Sequence, residues 1–212
     1  MSKKLAILTI VLFASVSARA ETVAALSFSG GLLAAPAADQ LYGWFFTANH
    51  TLDVTQLGVF DSGGDGLGMA HEVGIFRVSD RALLGSATVP SATSGTLLDS
   101  FRYVSVASFE LLADEYVIVM TMPGSSPDGQ FINNHSVTTS PDVTLHGAAF
   151  IASHTLIYPS WDASVFGSAM IGPNFVFASA PSGPSVPEPG PAILLLGGGL
   201  ALGLLRRRAI RR

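Results

Sequence analysis

Glu115-Tyr116-Val117-Ile118-Val119-Met120-Thr121-Met122 is the most β-rich stretch of the chain, and its reading decides the fold. Tyrosine, valine, isoleucine and threonine suit a pleated, packed surface, so it is taken as a central strand. Moving towards the N-terminus, Phe101-Arg102-Tyr103-Val104-Ser105-Val106 alternates well, and Phe109 to Leu112 reads as the start of a turn. Pro90 to Thr96 is a loop, and Ala82 to Val89 is a further strand. His71 to Val78 places Val73 and Ile75 on one face. Leu52 to Phe60 alternates as far as Gly58, where a bulge is expected. Tyr42-Gly43-Trp44-Phe45-Phe46-Thr47 is short and aromatic. Towards the C-terminus, Pro123 to Pro141 is loop-like around a short strand at Gln130 to Val137. Val143 to Ile151, His154 to Tyr158 and Phe175 to Phe177 follow as strands.

Short strands at even spacing, turn residues between them and almost no helical periodicity predict an all-β domain. The expected architecture is an antiparallel β-sandwich or jelly roll over residues 42–178. Residues 21–41 are weakly patterned and rich in Ala, Gly and Ser, a lead-in. Residues 179–186 form a linker of small residues and prolines. No repeat of 20–50 residues is evident.

The two ends read as addresses. Residues 1–20 carry Lys3-Lys4, an apolar core from Leu5 to Val16, and Ala18-Arg19-Ala20. A charged start, an apolar core and an A-x-A close are the pattern of a signal peptide cut after Ala20, leaving Glu21 first. Export through the Sec machinery follows from that reading, a retained N-terminal anchor being the alternative. At the other end, Val186-Pro187-Glu188-Pro189-Gly190-Pro191 should be extended, because three prolines fix φ and remove donors. Residues 190–205 contain no polar side chain and are expected to form one C-terminal transmembrane helix. Those 16 residues reach about 24 Å as a helix, short of a hydrocarbon core of about 30 Å. Local thinning or snorkelling arginines would make up the difference. The basic tail 206–212, with five arginines, should stay cytoplasmic and leave the body on the opposite side of the membrane. A buried helix in a soluble protein, the other reading, leaves those arginines without a reason.

Val186-Pro187-Glu188-Pro189, then a short apolar helix, then an arginine cluster at the terminus resembles the PEP-CTERM sorting signal. Such signals occur in Gram-negative bacteria that make exopolysaccharide, and membrane proteases of the exosortase family process them. The resemblance covers Val186 to Arg212. It implies transient single-pass residence in the inner membrane with the body on the periplasmic side. It also implies cleavage near Pro187-Glu188-Pro189 and transfer to the cell envelope or the exterior. The body is similar to a recurrent secreted domain often attached to such tails. The likeness lies in Gly43-Trp44-x-Phe46, Leu57-Gly58-Val59-Phe60-Asp61, Asp65-Gly66-Leu67, His71-x-Val73-Gly74-Ile75, Phe101-Arg102-Tyr103 and Gly172-Pro173-Asn174-Phe175. That class brings no established activity with it.

Charge narrows the partners. With both addresses removed, the body keeps Arg77, Arg81 and Arg102 against fourteen acids, a formal −11 with no lysine. A surface so negative disfavours DNA, RNA and anionic head groups, which need a cationic face. The chain has no cysteine, so disulfides, thiolate metal sites and a cysteine nucleophile are excluded. The body must be held by a hydrophobic core, and about 165 residues suffice for one.

Few side chains offer chemistry. Asp61 to Glu72 has Asp at positions 1 and 5, Gly at 6 and Glu at 12 of a calcium loop. Gly63 at position 3, Gly68 at position 8 and strand-like flanks argue against an EF-hand. Two readings stay open: a β-loop holding Ca²⁺ through Asp61, Asp65 and Glu72, or a Gly-rich hairpin whose aspartates bond their own backbone. The five histidines show no zinc spacing, and His71 reads as a structural hydrogen-bonding residue. Asp114 and Glu115 are adjacent, so in a strand they point to opposite faces and cannot flank one sugar. No G-x-S-x-G elbow is present. Trp44 inside Trp-Phe-Phe belongs to the core, whereas Trp161 in Tyr158-Pro159-Ser160-Trp161-Asp162 reads as a loop residue that could stack on a sugar ring. Arg102 is expected to pair with an acid. The expectation is a non-catalytic exported protein without a cofactor, the alternatives being an exopolysaccharide-binding module or a secreted hydrolase.

Overall fold

The computed structural model describes residues 21–34, 39–124, 126–159, 161–162 and 170–179. The expected signal peptide 1–20, with Ala18 and Ala20, lies outside them. So do residues 180–186 of the linker, the motif at Val186, Pro187, Glu188 and Pro189, and the expected span 190–205. Among the described residues no helix is long and apolar enough to cross a membrane.

Those residues form thirteen strands and one 3-10 turn, Ser62–Gly64. In order the strands are β1 (Glu21–Ala24), β2 (Leu26–Ala34), β3 (Gln40–Ala48), β4 (Leu52–Phe60), β5 (His71–Arg77), β6 (Leu83–Val89) and β7 (Thr96–Leu98). Then follow β8 (Phe101–Leu111), β9 (Asp114–Met122), β10 (Gln130–Thr139), β11 (Val143–Ala152), β12 (Trp161–Asp162) and β13 (Pro173–Ser179). The fold is all-β with antiparallel sheets. One sheet has the order β1-β13-β4-β8-β7, a second β12-β11-β3-β9-β5-β6, and β10 pairs with β2 as a separate ribbon.

The two large sheets share a core and make a sandwich-like body. Trp44 and Phe46 of β3 meet Phe175 of β13, with ring centroids 5.9 and 5.1 Å apart. The Trp44 indole N–H donates to the Pro173 carbonyl at 2.8 Å. The stretch from Tyr116 to Met122 is the interior strand β9, flanked by β3 and β5. Its apolar run from Tyr116 to Met120 is unbroken because both faces are covered. Tyr116, Ile118, Met120 and Met122 face the shared core, while Val117 and Val119 pack with Leu41, Phe76 and Ala149 on the outer side. Leu156 and Tyr158 pack onto that outer cluster. Strand β3 comes so close to β9 that a Cβ on Gly43 would lie 1.8 Å from the Ile118 carbonyl oxygen.

Several expectations are corrected. Within the lead-in at 21–41, residues 21–34 carry β1 and β2, and β3 begins at Gln40. Small residues gave no alternation to read, but β13 and β10 supply their partners. The bulge in β4 falls at Thr55, where the pairing to both β8 and β13 shifts, and not at Gly58. It reverses the alternation, so Leu52 and Val54 are buried before it and Leu57 and Val59 after it. Strand β8 runs on to Leu111, past the expected turn. Thr96–Leu98 is a short strand rather than the end of a loop. His154 to Tyr158 is no strand; Leu156 and Tyr158 lie on the outer cluster and Ile157 is exposed.

Candidate functional site

A buried ion pair lies where β4 ends and β8 begins, with Phe60 and Phe101 directly opposite one another. Asp61 follows Phe60, and Arg102 faces Val59 across the ladder. Both are buried, at 1% and 4% exposure. Arg102 Nε donates to Asp61 Oδ2 at 2.7 Å, and Nη2 lies 2.6 Å from the same oxygen. The rest of the guanidinium fork binds carbonyls: Nη1 donates to Thr93 (2.9 Å) and Gly95 (3.5 Å), and Nη2 to Gly64 (3.1 Å). The Asp61 carboxylate also accepts from the Gly66 amide at 3.2 Å. One arginine thus ties the 61–66 loop to the 93–95 loop. Leu67 and Ala92 join the same two loops through a pair of backbone hydrogen bonds of 3.1 and 2.6 Å.

A second charged cluster fastens a third loop. His71, fully buried at the start of β5, has Nε2 2.8 Å from Asp128 Oδ2 and Nδ1 2.7 Å from the Thr121 carbonyl oxygen. Both partners are acceptors, so the ring satisfies both when each nitrogen carries a proton. Asp128 accepts in addition from the Gly68 amide (2.8 Å), the Met69 amide (3.0 Å) and the Ser126 hydroxyl (3.1 Å). Burial pushes the Asp128 carboxyl pKa up. The hydrogen bond from His71, those from the Gly68 and Met69 amides and the charge of His71 together outweigh it, so the pKa lies below the ordinary aspartate value.

This geometry ties loops to one another. Nucleophilic catalysis needs a hydroxyl on the base and an orienting group behind the base. Here the Ser126 hydroxyl bonds Asp128, and both His71 nitrogens are already engaged. Asp114 and Glu115 open strand β9, and the Asp114 carboxylate accepts from the Glu115 amide at 2.8 Å.

The calcium reading is altered by Arg102. Asp61 is brought to a guanidinium rather than to Asp65 and Glu72, which are both exposed. The Glu72 amide donates to the Thr121 hydroxyl at 2.9 Å. Among the described residues no three of His, Asp and Glu are grouped so as to hold a metal. Trp161 lies in β12, where it pairs with Phe150, and not in a loop. Trp44 and Tyr42 are core residues. Tyr158 is overlain by the Arg81 guanidinium 5.3 Å from its ring centroid.

The expected ion pair of Arg102 is present, with Asp61 as its acid. Reading residue by residue missed Asp128. Its own neighbourhood reads as a Ser-Pro-Asp-Gly turn, and its partners lie 57 to 60 positions away. It also missed Asn174, whose amide donates to the Leu26 carbonyl at 2.9 Å and whose side-chain oxygen accepts from the Phe175 amide. No protein-family model matches this chain, and no curated protein is similar to it.

Proposed function

We propose that this chain is an exported cell-envelope or extracellular-matrix protein. A non-catalytic β-sandwich body is carried out by a leader at 1–20. A C-terminal sorting tail at 187–212, resembling PEP-CTERM and cut by an exosortase-type membrane protease, then holds and delivers it. The observation that carries this reading is the sequence of the two ends: Lys3-Lys4, an apolar core and Ala18-Arg19-Ala20 at one, and Val186-Pro187-Glu188-Pro189, an apolar run and five arginines at the other. The non-catalytic part is supported by the use of Asp61, Arg102, His71 and Asp128 in clamping loops to one another.

Mass spectrometry of the mature protein from its native host tests the whole reading. The expected product begins at Glu21 and ends near Pro187-Glu188-Pro189. An uncut polypeptide in the soluble intracellular fraction, keeping both Met1 and Arg212, overturns it.

A further inference from the structure

The outer side of the sheet that holds β9 carries two opposite charges beside one tyrosine. Tyr158 packs on the outer apolar cluster, with the Phe76 ring edge-on to it at 6.1 Å and the Arg81 guanidinium 5.3 Å from its centroid. Burial raises the Tyr158 pKa, the charge of Arg81 lowers it and the charge of Glu115 raises it, so both charges lie near the ring. Glu115 precedes Tyr116, whose side chain enters the core, and so points outward. Its cross-strand neighbour Thr47 has its hydroxyl 2.6 Å from His146 Nε2. Arg77 pairs with Asp80, and Arg102 with Asp61. Arg81 and Glu115 are both exposed, and among the described residues neither side chain has a hydrogen-bond or ion-pair partner. Two opposite charges thus flank one ring without bridging to each other. Arg81 also sits at φ 60°, a conformation that favours glycine. Its turn is fixed by the Arg77 amide on the Ala82 carbonyl and the Ala82 amide on the Asp80 carboxylate. Apolar side chains border the ring: Leu83 and Leu156 both reach over Gly74, and Leu83 and Ile157 are 46% and 41% exposed.

We propose that this face binds a neutral saccharide, read by Arg81 and Glu115. A sugar ring offers what the two charges lack. One hydroxyl accepts from the Arg81 fork while its neighbour donates to the Glu115 carboxylate. The apolar C–H face of the sugar lies on the exposed parts of Tyr158, Leu83 and Ile157. Charge and area select this occupant. A body of formal charge −11 repels an anionic polymer. Two half-exposed aliphatic side chains fall far short of the roughly 800 Å² per partner that a stable protein interface buries, so a second copy does not fit. A small ligand needs only an apolar bed and a few placed polar groups. The site lies apart from Trp161, the residue whose sequence context suggested a sugar contact, and it does not depend on the export reading.

The test is calorimetric titration of the full-length chain, kept in micelles of a detergent without a sugar head group. The probes are cellotetraose, maltotetraose and mannotetraose, with tetragalacturonate as the charged comparison. At least one neutral probe is expected to bind with Kd below about 1 mM, and more tightly than tetragalacturonate. Arg81→Asn, which keeps a residue tolerant of the left-handed backbone, and Glu115→Ala should each weaken that binding at least about tenfold. Arg77→Gln, whose charge Asp80 already engages, should leave it within about twofold. Near-UV circular dichroism matching the wild type shows that each variant is folded. Three results overturn the proposal: no binding of any neutral probe at about 10 mM, binding unchanged in both folded Arg81→Asn and folded Glu115→Ala, or tighter binding of tetragalacturonate. None of them bears on how the chain is exported.

Discussion

Arg102 makes more contacts with loop backbone than any other charged side chain described, and the consequence is specific. Replacing it with Met leaves the Asp61 carboxylate buried without a countercharge and three carbonyls without a donor. Breaking a buried pair from one side costs about 3–5 kcal/mol, which for a domain of this size lowers Tm by roughly 10 °C. The double variant Asp61→Leu with Arg102→Met is expected to lose less than the sum of the two single changes, as thermal melts of all four proteins would show. The Asp128 prediction concerns pH. Its folded pKa is depressed, so the stabilisation is fully present above the unfolded aspartate value of about 3.9. It is lost as pH falls through the lower folded value. Urea midpoints measured from pH 6 to pH 2 should fall more steeply below about pH 4 for the wild type than for Asp128→Asn. Tyr103 makes the opposite case. Its hydroxyl is buried without a hydrogen bond of ordinary geometry, and burial, then the charge of Asp99, push its pKa well up against a smaller opposing pull from the Asn174 side chain. Tyr103→Phe should therefore be neutral or stabilising, by up to about 1–2 kcal/mol.

Among the elements, β4 shows how one extra residue sets a register. The bulge at Thr55 lets two apolar pairs of opposite parity, Leu52 with Val54 and Leu57 with Val59, face the same core. Deleting Thr55 should turn one pair outward and abolish the cooperative urea transition, since a one-residue slip moves every later side chain to the other face. The row through Asp53 carries a different strain. Asp53 lies directly opposite Glu110, and facing like charges destabilise a ladder. Glu110→Lys should therefore stabilise the body by about 0.2–1 kcal/mol, with the gain shrinking as salt is added. A melt in low salt beside one in high salt reads both effects.

At the scale of the molecule, the strand neighbours are mostly remote in sequence. Strands β1 and β13 span the described chain, and β2 reaches forward to β10. Such pairing pays loop-closure entropy before it gains contacts, so folding in milliseconds to seconds is expected. A body of formal charge −11 must also fold against its own repulsion. Two separated charged clusters, Asp61 with Arg102 and His71 with Asp128, hold the three loops at one end where glycines alone would leave them loose.

Composition and alternation sufficed to establish an all-β body, the interior position of Glu115 to Met122, the need for a core without disulfides, and Arg102 as half of an ion pair. Each depends on side-chain type or on a local period, which a single strand displays by itself. Only the tertiary structure decided that residues 21–34 carry strands, that the β4 bulge sits at Thr55, and that the acid paired with Arg102 is Asp61. It also decided that Asp128 closes on His71. These outcomes depend on partners 41 to 158 positions away, and a small or polar residue carries no local mark of a partner so remote. Side-chain period records which face is buried; it holds no information on which strand lies alongside.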